Sequence, residues 1–312
     1  MPELTPEPRS FTFLVNPASG GGAAPGAVLP VSRLLRDAGA RVDVTYSPGP
    51  KAVVGLVAEA VARGDVVVSV GGDGMLSSLA GAVSLAGGTL AVVPAGRGND
   101  FARMLGVPET PEEQSALLLR GVVRQVDLIS WTLPGSDPRR VAGSVYCGVD
   151  ARAAELVDRA HRLPRQVQYP YAALRALAGY RPATYRVTID GESATYSAAN
   201  VVVANSAYYG KGMKIAPAAV LDDGYLDVIV IEAASRLALM RSLPKVYDGA
   251  HVVLPEVTVL RGKRIELAAD TLGSAPVPVG GDGEPLGALP DLTGSPAVVD
   301  VLPGALSLIA PG

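Results

Sequence analysis

Cysteine is nearly absent from this chain, since Cys147 is its only one in 312 residues. A single cysteine excludes an internal disulfide framework and any zinc site with several cysteine ligands, and it suits a reducing compartment. We expect Cys147 to be a packing residue. Charged residues make up only 18%, and the formal net charge is -3. Because nucleic-acid binding requires clustered Lys and Arg, we expect no nucleic-acid partner.

Aromatic residues are also scarce, at 5%, whereas hydrophobic residues make up 48%. Val, Leu and Ala must therefore fill the core, and a chain of this length is expected to form two globular domains. Residues 1–10 contain three prolines and lack the apolar segment of a signal peptide. Residues 76–95 are uncharged, but Gly87 and Gly88 divide them into a predicted helix, turn and strand. These absences predict a cytoplasmic protein.

The first part of the chain alternates strand-like runs with helical patterns. The runs lie at residues 11–15, 41–45, 66–70 and 89–93. This alternation predicts a doubly wound α/β domain with a parallel sheet. In such sheets ligands bind beyond the carboxyl ends of the strands.

The second part contains β-rich runs separated by turns. They lie at residues 141–149, 185–189, 200–204, 226–231, 252–260 and 264–267. This spacing favours an antiparallel β-sandwich domain. We place the linker at residues 134–138, so that the α/β domain spans residues 1–135 and the sandwich spans residues 136–297.

Three glycine-rich segments follow predicted strands of the first domain. They are residues 16–22 (NPASGGG), 71–74 (GGDG) and 94–101 (PAGRGNDF). Such loops bring backbone N–H groups against phosphates. Each segment alone also fits a plain turn, and Asn99 and Asp100 alone fit a helix N-cap pair. Because all three lie at the ligand-binding edge of one sheet, together they predict a nucleotide site.

These segments resemble the nucleotide-site motifs of soluble bacterial diacylglycerol kinases and their lipid-kinase relatives. That family includes sphingosine and ceramide kinases and is distantly similar to NAD kinases and phosphofructokinases. Further motifs of the family follow in the expected order, at residues 146–150, 204–206, 209–212, 217–218, 222–227 and 282–284. The pattern departs at Met75 and Arg97, where a threonine is usual. Both changes remove a hydroxyl from the implied site, and Arg97 is a cation that can bind phosphate instead.

The resemblance implies ATP and Mg²⁺ as cofactors. The implied nucleotide-binding residues are Asn16, Pro17, Ser19, Gly20, Thr45, Gly71, Gly72, Asp73, Gly74, Arg97, Asn99 and Asp100. Asp73 and Asp100 would position the nucleotide directly or through Mg²⁺. The implied catalytic set is Glu284 as general base, Asp282 as its neighbour in the metal network, and Asp73. A hairpin turn with solvated acids is the alternative for residues 280–284.

The resemblance also implies a second, structural Mg²⁺ site. Asp223 would bind through its carboxylate, and Val220 and Tyr225 would bind through their backbone carbonyl oxygens. A type I turn between strands is the alternative here. By the same resemblance, residues 298–312 would pack back on the first domain and the β-sandwich domain would receive the lipid.

A basic segment of the second domain suggests a membrane contact. Residues 159–186 contain six arginines and no acidic residue, interleaved with Tyr169, Tyr171, Tyr180 and Tyr185. This composition fits anionic lipid headgroups, and a solvated helical face is the alternative. We therefore expect a protein that contacts the inner face of the membrane peripherally, with an apolar cleft between its domains for an acyl chain. The oligomeric state is open, with a homodimer as one option.

The favoured function is transfer of the γ-phosphate of ATP to the hydroxyl of diacylglycerol or a similar lipid, forming phosphatidic acid. Two alternatives stay open. An NAD kinase shares the GGDG segment and a β-rich second domain. A nucleotide-binding regulatory protein without catalysis is consistent with Met75 and Arg97.

Overall fold

The chain forms two compact units in a computed structural model that describes residues 9–47, 49–159, 171–172, 175–176, 179–270 and 275–312. The first unit comprises Met1–Val126 and Gly304–Gly312, and the second comprises Asp127–Pro303. Within the described ranges no helix is long and apolar enough to cross a membrane. Residues 76–95 instead form most of a helix, a turn at Gly87 and a strand, as the sequence predicts.

The first unit is an α/β domain with a parallel sheet. Its strands are β1 (Phe11–Val15), β2 (Val42–Tyr46), β3 (Val66–Gly71) and β4 (Thr89–Pro94), and its helices are α1 (Ala24–Asp37), α2 (Pro50–Ala62), α3 (Asp73–Ala86), α4 (Asp100–Met104) and α5 (Pro111–Arg120). The strand order is β2-β1-β3-β4, and residues 307–308 pair in parallel with β4. Helix α1 packs with α5, and α2 packs with α3. The predicted doubly wound class is confirmed.

The core of this unit follows from its sequence pattern. Strand β1 is buried along its whole length, as expected of a central parallel strand. Helix α1 buries Val28, Val31 and Leu35, which recur at the spacing of one helix face. Helix α5 begins after Thr110, whose hydroxyl accepts a hydrogen bond from the N–H of Glu113 and caps the helix.

A buried ion-pair cluster centres on Asp65, directly before β3. Its carboxylate accepts hydrogen bonds from the Thr12 hydroxyl (2.8 Å) and from Nε of Arg63 (3.0 Å), and it also pairs with Arg41. Burial opposes ionisation, but hydrogen bonds from Ser10, Thr12 and the two arginines outweigh it and lower the pKa of Asp65 to about 2. The cluster therefore joins the amino ends of the first three strands through one ionised carboxylate.

The second unit is an antiparallel β-rich domain. Its strands are β5 (Val122–Thr132, which begins in the first unit), β6 (Arg139–Val141), β7 (Ser144–Gly148), β8 (Ala183–Ile189), β9 (Glu192–Ala204), β10 (Leu226–Glu232), β11 (Val257–Gly262), β12 (Arg264–Asp270), β13 (Pro278–Gly281), β14 (Glu284–Ala288) and β15 (Ala297–Ala310), and its helices are α6 (Val149–Arg159) and α7 (Arg236–Asp248). The order β14-β13-β7-β9-β8-β12-β15 includes the first residues of β15. Strand β10 pairs with β9 and β11, and β5 pairs with β6. The antiparallel pairing agrees with the predicted class.

The core of the second unit contains Trp131, Tyr185 and Cys147. Cys147 is fully buried, as predicted for a packing residue, and burial raises the pKa of its thiol. Residues 134–138, the predicted linker, are instead the turn between β5 and β6, closed by a hydrogen bond from the N–H of Ser136 to the carbonyl of Leu133. The predicted β-run at residues 252–260 is also wrong at its start, where Ala250–Val253 form a 3-10 helix.

Candidate active site

The three glycine-rich segments converge at the carboxyl ends of β1, β3 and β4. Backbone hydrogen bonds join them: the N–H of Asn16 donates to the carbonyl of Val70 (3.1 Å), and the N–H of Ala95 donates to the carbonyl of Gly71 (2.9 Å). The N–H of Gly72 also donates to the Ser19 hydroxyl at 3.3 Å. The segments that the sequence predicts to act together are therefore in direct contact.

Two glycines allow the backbones of these loops to approach each other. Gly20 has a φ of +61°, and a Cβ there would lie 2.4 Å from the carbonyl oxygen of Ala95. A Cβ at Gly96 would lie 2.4 Å from Cα of Gly72. Both distances are far below van der Waals contact, so neither position admits a side chain. The resulting surface is formed mainly by backbone, which suits phosphate binding through N–H groups.

The GGDG segment joins a strand to a helix and is not a separate turn. Gly71 is the last residue of β3, Gly72 is the N-cap of α3, and Asp73 and Gly74 lie in the first helical turn. The first N–H groups of a helix have no partner within it and carry the positive end of its dipole. This helix start is therefore suited to an anionic group. Asp73 also accepts a hydrogen bond from the N–H of Phe101 (3.4 Å), which connects the second segment to the third.

The third segment is shaped by Asn99, which has a left-handed φ of 54°. Its Oδ1 accepts a hydrogen bond from the N–H of Gly96 (2.8 Å), and its Nδ2 donates to the carbonyl of the same residue (3.3 Å). The Asn99 side chain therefore closes the loop. Asp100 follows as a buried residue at the start of α4. Arg97 is exposed and forms no ion pair within the described ranges.

The other residues implied as nucleotide contacts surround these loops. Asn16 accepts a hydrogen bond from the N–H of Ala18 through its side chain, and Pro17 lies in the turn between them. Thr45 lies near the carboxyl end of β2, opposite Leu14 of β1. All of these positions belong to the first unit and lie at or near the carboxyl edge of its sheet.

Met75 occupies part of the space where the family pattern has a hydroxyl. A Cβ built on Gly71 would lie 3.2 Å from Cβ and 3.3 Å from Sδ of Met75, and 3.2 Å from Oγ of Ser19. The thioether therefore covers the end of β3 beside the serine hydroxyl. Ser19 keeps one hydroxyl at this position, and the backbone N–H groups of the loop are unchanged by the methionine.

The proposed general base lies on a β-hairpin of the second unit, which we call the Asp282 hairpin (β13, Asp282, Gly283 and β14). Asp282 and Gly283 form its two-residue turn with φ values of 47° and 89°, as expected of an Asp-Gly turn between antiparallel strands. Glu284 follows as the exposed first residue of β14. Its carboxylate is thus accessible on a short, regular hairpin.

Asp282 anchors this hairpin. Its two carboxylate oxygens accept hydrogen bonds from the N–H groups of Ala142, Gly143 and Ser144, at distances of 2.8 to 3.1 Å. A carboxylate that accepts several backbone N–H groups holds its neighbours in fixed geometry. The structure therefore gives Asp282 a positioning role, whereas its implied place in a metal network stays a prediction.

A polar network of the second unit continues from the hairpin. The N–H of Gly283 donates to the Tyr146 hydroxyl at 3.2 Å, and the Tyr146 ring meets the Tyr209 ring edge-on at a centroid distance of 5.7 Å. The Tyr209 hydroxyl and the Asn200 amide donate to the Asp150 carboxylate. Burial raises the pKa of Asp150, and burial with the nearby Asp282 charge raises the pKa of Tyr146.

This network is one that sequence reasoning did not find. Residues 146–150 and 209–212 are recognisable as separate family motifs, but the hydrogen bond between Tyr209 and Asp150 joins positions 59 residues apart. The sequence does place an aspartate, Asp150, directly after a predicted strand. A buried aspartate at such a position requires a polar partner, but the sequence does not show which residue that partner is.

Asp223, the implied carboxylate ligand of the second Mg²⁺ site, already has two partners in the structure, and its ligation of Mg²⁺ stays a prediction. One Asp223 oxygen accepts a hydrogen bond from the N–H of Tyr225 (3.0 Å), and the other pairs with the Arg261 guanidinium. Arg261 and Lys263 also lie over the Tyr225 ring, at 4.6 and 4.9 Å from its centroid. The Arg261 guanidinium thus already pairs with the Asp223 carboxylate. Among the described residues no three acidic, histidine or cysteine side chains cluster in a way that could hold a metal ion.

An apolar cavity of about 620 Å³ lies within the second unit. Its lining includes Val149, Leu156, Ala199 and Val277, together with Arg152, Arg175, Tyr180, Arg181 and Tyr185. Several of these belong to the basic segment at residues 159–186. Arg162, Arg165 and Tyr169 of the same segment lie outside the described residues. The described part of that segment thus contributes both apolar and basic residues to the lining of this cavity.

Two protein families match the sequence in succession. The diacylglycerol kinase catalytic domain matches residues 10–131, and the YegS C-terminal NAD kinase beta sandwich-like domain matches residues 143–310. The order and extent of these matches agree with the α/β unit and the β-rich unit of the structure.

Individual relatives cover most of the chain. The diacylglycerol kinase of Mycobacterium tuberculosis (strain H37Rv) is 31% identical over 311 residues, which is 96% of this chain and 94% of that protein. The diacylglycerol kinase of Bacillus subtilis (strain 168) is 23% identical over 65% of this chain and 67% of its own. A crystal structure described as a diacylglycerol kinase from Bacillus anthracis (strain Sterne) superposes with a TM-score of 0.69 at 18% identity, covering 97% of both chains, and shows the same fold. The chain therefore belongs to the family of diacylglycerol kinases and YegS-like lipid kinases.

Proposed function

We propose that the protein transfers the γ-phosphate of ATP to the hydroxyl of diacylglycerol, forming phosphatidic acid. The observation that carries this proposal is the convergence of three glycine-rich loops at the carboxyl edge of a parallel sheet. Their backbone N–H groups and the start of α3 are suited to the phosphates of a nucleotide. The names of the relatives in M. tuberculosis and B. subtilis support diacylglycerol as the acceptor.

The reaction assigns a role to residues of both units. The oxygen of the lipid hydroxyl would attack the γ-phosphorus while the bond from that phosphorus to the bridging oxygen of the β-phosphate breaks, and ADP leaves. Glu284 would take the proton of the hydroxyl. Bound Mg²⁺ would neutralise charge on the phosphates, with Asp73 and Asp100 as the acidic residues available to hold it. Asp282 would keep Glu284 in position through its three backbone partners.

The cavity of the second unit is the proposed place for an acyl chain. Its volume of about 620 Å³ lies within the range of roughly 300–1,000 Å³ that is usual for ligand pockets. The aliphatic lining suits a hydrocarbon chain, and the arginines suit an anionic group near it. Comparing diacylglycerols of increasing chain length tests this part of the proposal, because acceptance of chains far larger than the cavity would contradict it.

The chain contains its own control for the role of Glu284. Asp190, Gly191 and Glu192 form a second Asp-Gly-Glu hairpin, between β8 and β9, in which Asp190 and Gly191 also have positive φ values (49° and 96°). As in the Asp282 hairpin, the aspartate accepts hydrogen bonds from backbone N–H groups far along the chain, here those of Lys263 and Arg264. Glu192 is exposed, like Glu284. The two glutamates therefore share one local structure.

The test is transfer of radiolabelled phosphate from ATP to diacylglycerol in mixed micelles, with products identified. We expect Glu284→Gln to lower kcat by roughly 10²–10⁴-fold with little change in ATP affinity, since a general base contributes about that much. Glu192→Gln should match the wild type. Wild-type activity in Glu284→Gln would show that Glu284 is not the general base. Formation of NADP from NAD and ATP without lipid phosphorylation would show that the protein is an NAD kinase.

A further inference from the structure

Helix α7 presents an apolar stripe to solvent. Leu237, Met240, Leu243 and Tyr247 have 54%, 45%, 41% and 50% of their surface exposed. They are separated by three, three and four residues, which places them on one side of the helix. Val246, on a neighbouring side of the helix, is buried. A helix of a globular domain normally turns its apolar side inward, so an outward stripe of this length requires another explanation.

The segment after α7 also exposes an apolar side chain. The 3-10 helix Ala250–Val253 ends in Val253, which is 82% exposed. Its neighbour His251 is buried, and Nε2 of that ring lies 3.0 Å from the carbonyl oxygen of Ile215. Helix α7 and this 3-10 helix pack together. The exposed side chains are therefore carried by a backbone that is fixed to the unit, and we call α7 with this 3-10 helix the α7 surface.

The charged residues of helix α7 are all basic until its last turn. Arg236, Arg241 and Lys245 are exposed and form no ion pair with any residue that the structure describes. Asp248 is the only acidic residue of the helix and lies at its end. Three cations therefore lie beside an apolar stripe. This part of the surface is basic, although the net charge of the whole chain is -3. This combination is typical of helices that lie in the surface of an anionic bilayer.

A second copy of the chain fits this surface less well. In a twofold dimer each patch meets the same patch of its partner. The three cations of one copy would then approach the three cations of the other, with Asp248 as the only acidic residue of each helix to offset them. A bilayer that contains acidic phospholipids offers acyl chains to bury the apolar stripe and negative headgroups to bind the cations.

We propose that the α7 surface docks the protein on an anionic phospholipid bilayer, with Leu237, Met240 and Leu243 inserted among the lipids. The biological role of this docking rests on the proposed function, because a diacylglycerol substrate resides in the bilayer. Binding to the bilayer does not itself require catalysis. The residues of the α7 surface differ from residues 159–186, which the sequence indicates as a membrane contact.

Sedimentation with vesicles tests the proposal directly. The probes are vesicles of phosphatidylcholine alone and of phosphatidylcholine with phosphatidylglycerol, without ATP. We expect the wild type to bind the anionic vesicles only. The triple variant Leu237→Ser, Met240→Ser, Leu243→Ser should bind them at least tenfold more weakly. Replacing Arg236, Arg241 and Lys245 by glutamine should weaken binding on the order of 100-fold.

A matched control uses exposed apolar residues of the first unit. Leu29 and Leu85 are 69% and 74% exposed, and Leu29→Ser with Leu85→Ser should leave vesicle binding unchanged. Circular dichroism and thermal unfolding show whether each variant is folded. Unchanged vesicle binding by the folded α7 variants would overturn the proposal. So would a wild-type dimer that the apolar variant converts to a monomer while vesicle binding persists.

Activity measurements separate this proposal from the proposed function. With a short-chain diacylglycerol dispersed in detergent, the apolar α7 variant should keep wild-type turnover, whereas with diacylglycerol in anionic vesicles it should lose at least tenfold. Anionic-vesicle binding that depends on the α7 surface, in a protein that phosphorylates no lipid, would support the docking and reject only the kinase assignment. Equal losses on both substrates would contradict the docking role.

Discussion

Replacing Gly96 by alanine tests whether close packing of the glycine-rich loops is required for the proposed nucleotide binding. The new Cβ would lie 2.4 Å from Cα of Gly72 and 2.8 Å from Oδ1 of Asn99. Ordinary contacts begin at 3.4 Å, so the two loops must separate by about 1 Å. The φ of Gly96 is not positive, so alanine adds a steric conflict without backbone strain.

The size of the effect follows from that displacement. Overpacking a closely packed site costs about 1–3 kcal/mol, and a misplacement of about 1 Å can cost on the order of 100-fold in function. We therefore expect Gly96→Ala to bind ATP roughly 5- to 150-fold more weakly. Isothermal titration calorimetry measures the affinity, and thermal unfolding shows that the variant remains folded.

Gly55→Ala is the matched control for this variant. Gly55 lies inside α2, and an added Cβ there meets nothing within 4 Å. Alanine in a helix interior should stabilise the protein by about 0.5–1 kcal/mol and leave ATP affinity unchanged. If Gly96→Ala binds ATP as the wild type does and is equally stable, the loops are not closely packed in the way described, and this explanation of the glycines is wrong.

Two further predictions concern charged groups away from these loops. Asp65→Asn should lower the free energy of unfolding by ~2 kcal/mol near neutral pH, because the pKa of Asp65 falls from 3.8 to about 2 on folding. A depressed folded-state pKa stabilises above the unfolded value, so urea unfolding should show the difference between wild type and variant shrinking as pH falls from about 4 towards 2; a difference that persists at pH 2 would contradict the assignment. At Asp223 we expect added Mg²⁺ or EDTA to shift the melting temperatures of the wild type and Asp223→Asn equally, because Arg261 already pairs with the carboxylate. A Mg²⁺-dependent rise in the melting temperature of the wild type that Asp223→Asn lacks would show that a cation site exists there.

The parallel sheet and its loops could be predicted because their signals are local or follow from topology. Buried runs such as residues 66–70 and helical spacing as in α1 are visible in the sequence. The rule that ligands bind at the carboxyl edge then brings residues 16–22, 71–74 and 94–101 together without further information. The role of Asn99 in closing its loop was not visible, because it depends on a left-handed backbone at that residue.

Features that depend on distant partners could not be predicted. The pairing of Asp223 with Arg261 joins residues 38 positions apart, and the anchoring of Asp282 joins residues about 140 apart. Residues 134–138 have a composition that suits a linker and a hairpin turn equally, and the pairing of β5 with β6 decides between them. The two Asp-Gly-Glu hairpins are also alike locally, so these three residues alone do not distinguish Glu284, the proposed general base, from Glu192.

The anchor at Asp282 has a consequence for the order in which the protein folds. Its hydrogen bonds to residues 142–144 span 138 to 140 positions of the chain, and contacts of such long range form only after a large loop has been closed. The loops of the nucleotide site instead belong to the first 101 residues, apart from it in sequence. A chain whose synthesis has reached residue 282 would contain all three glycine-rich loops and lack Glu284. Synthesis from the N-terminus therefore completes these loops long before the Asp282 hairpin can close, so the residue that we propose as the general base is added well after the segments that we propose to bind the nucleotide.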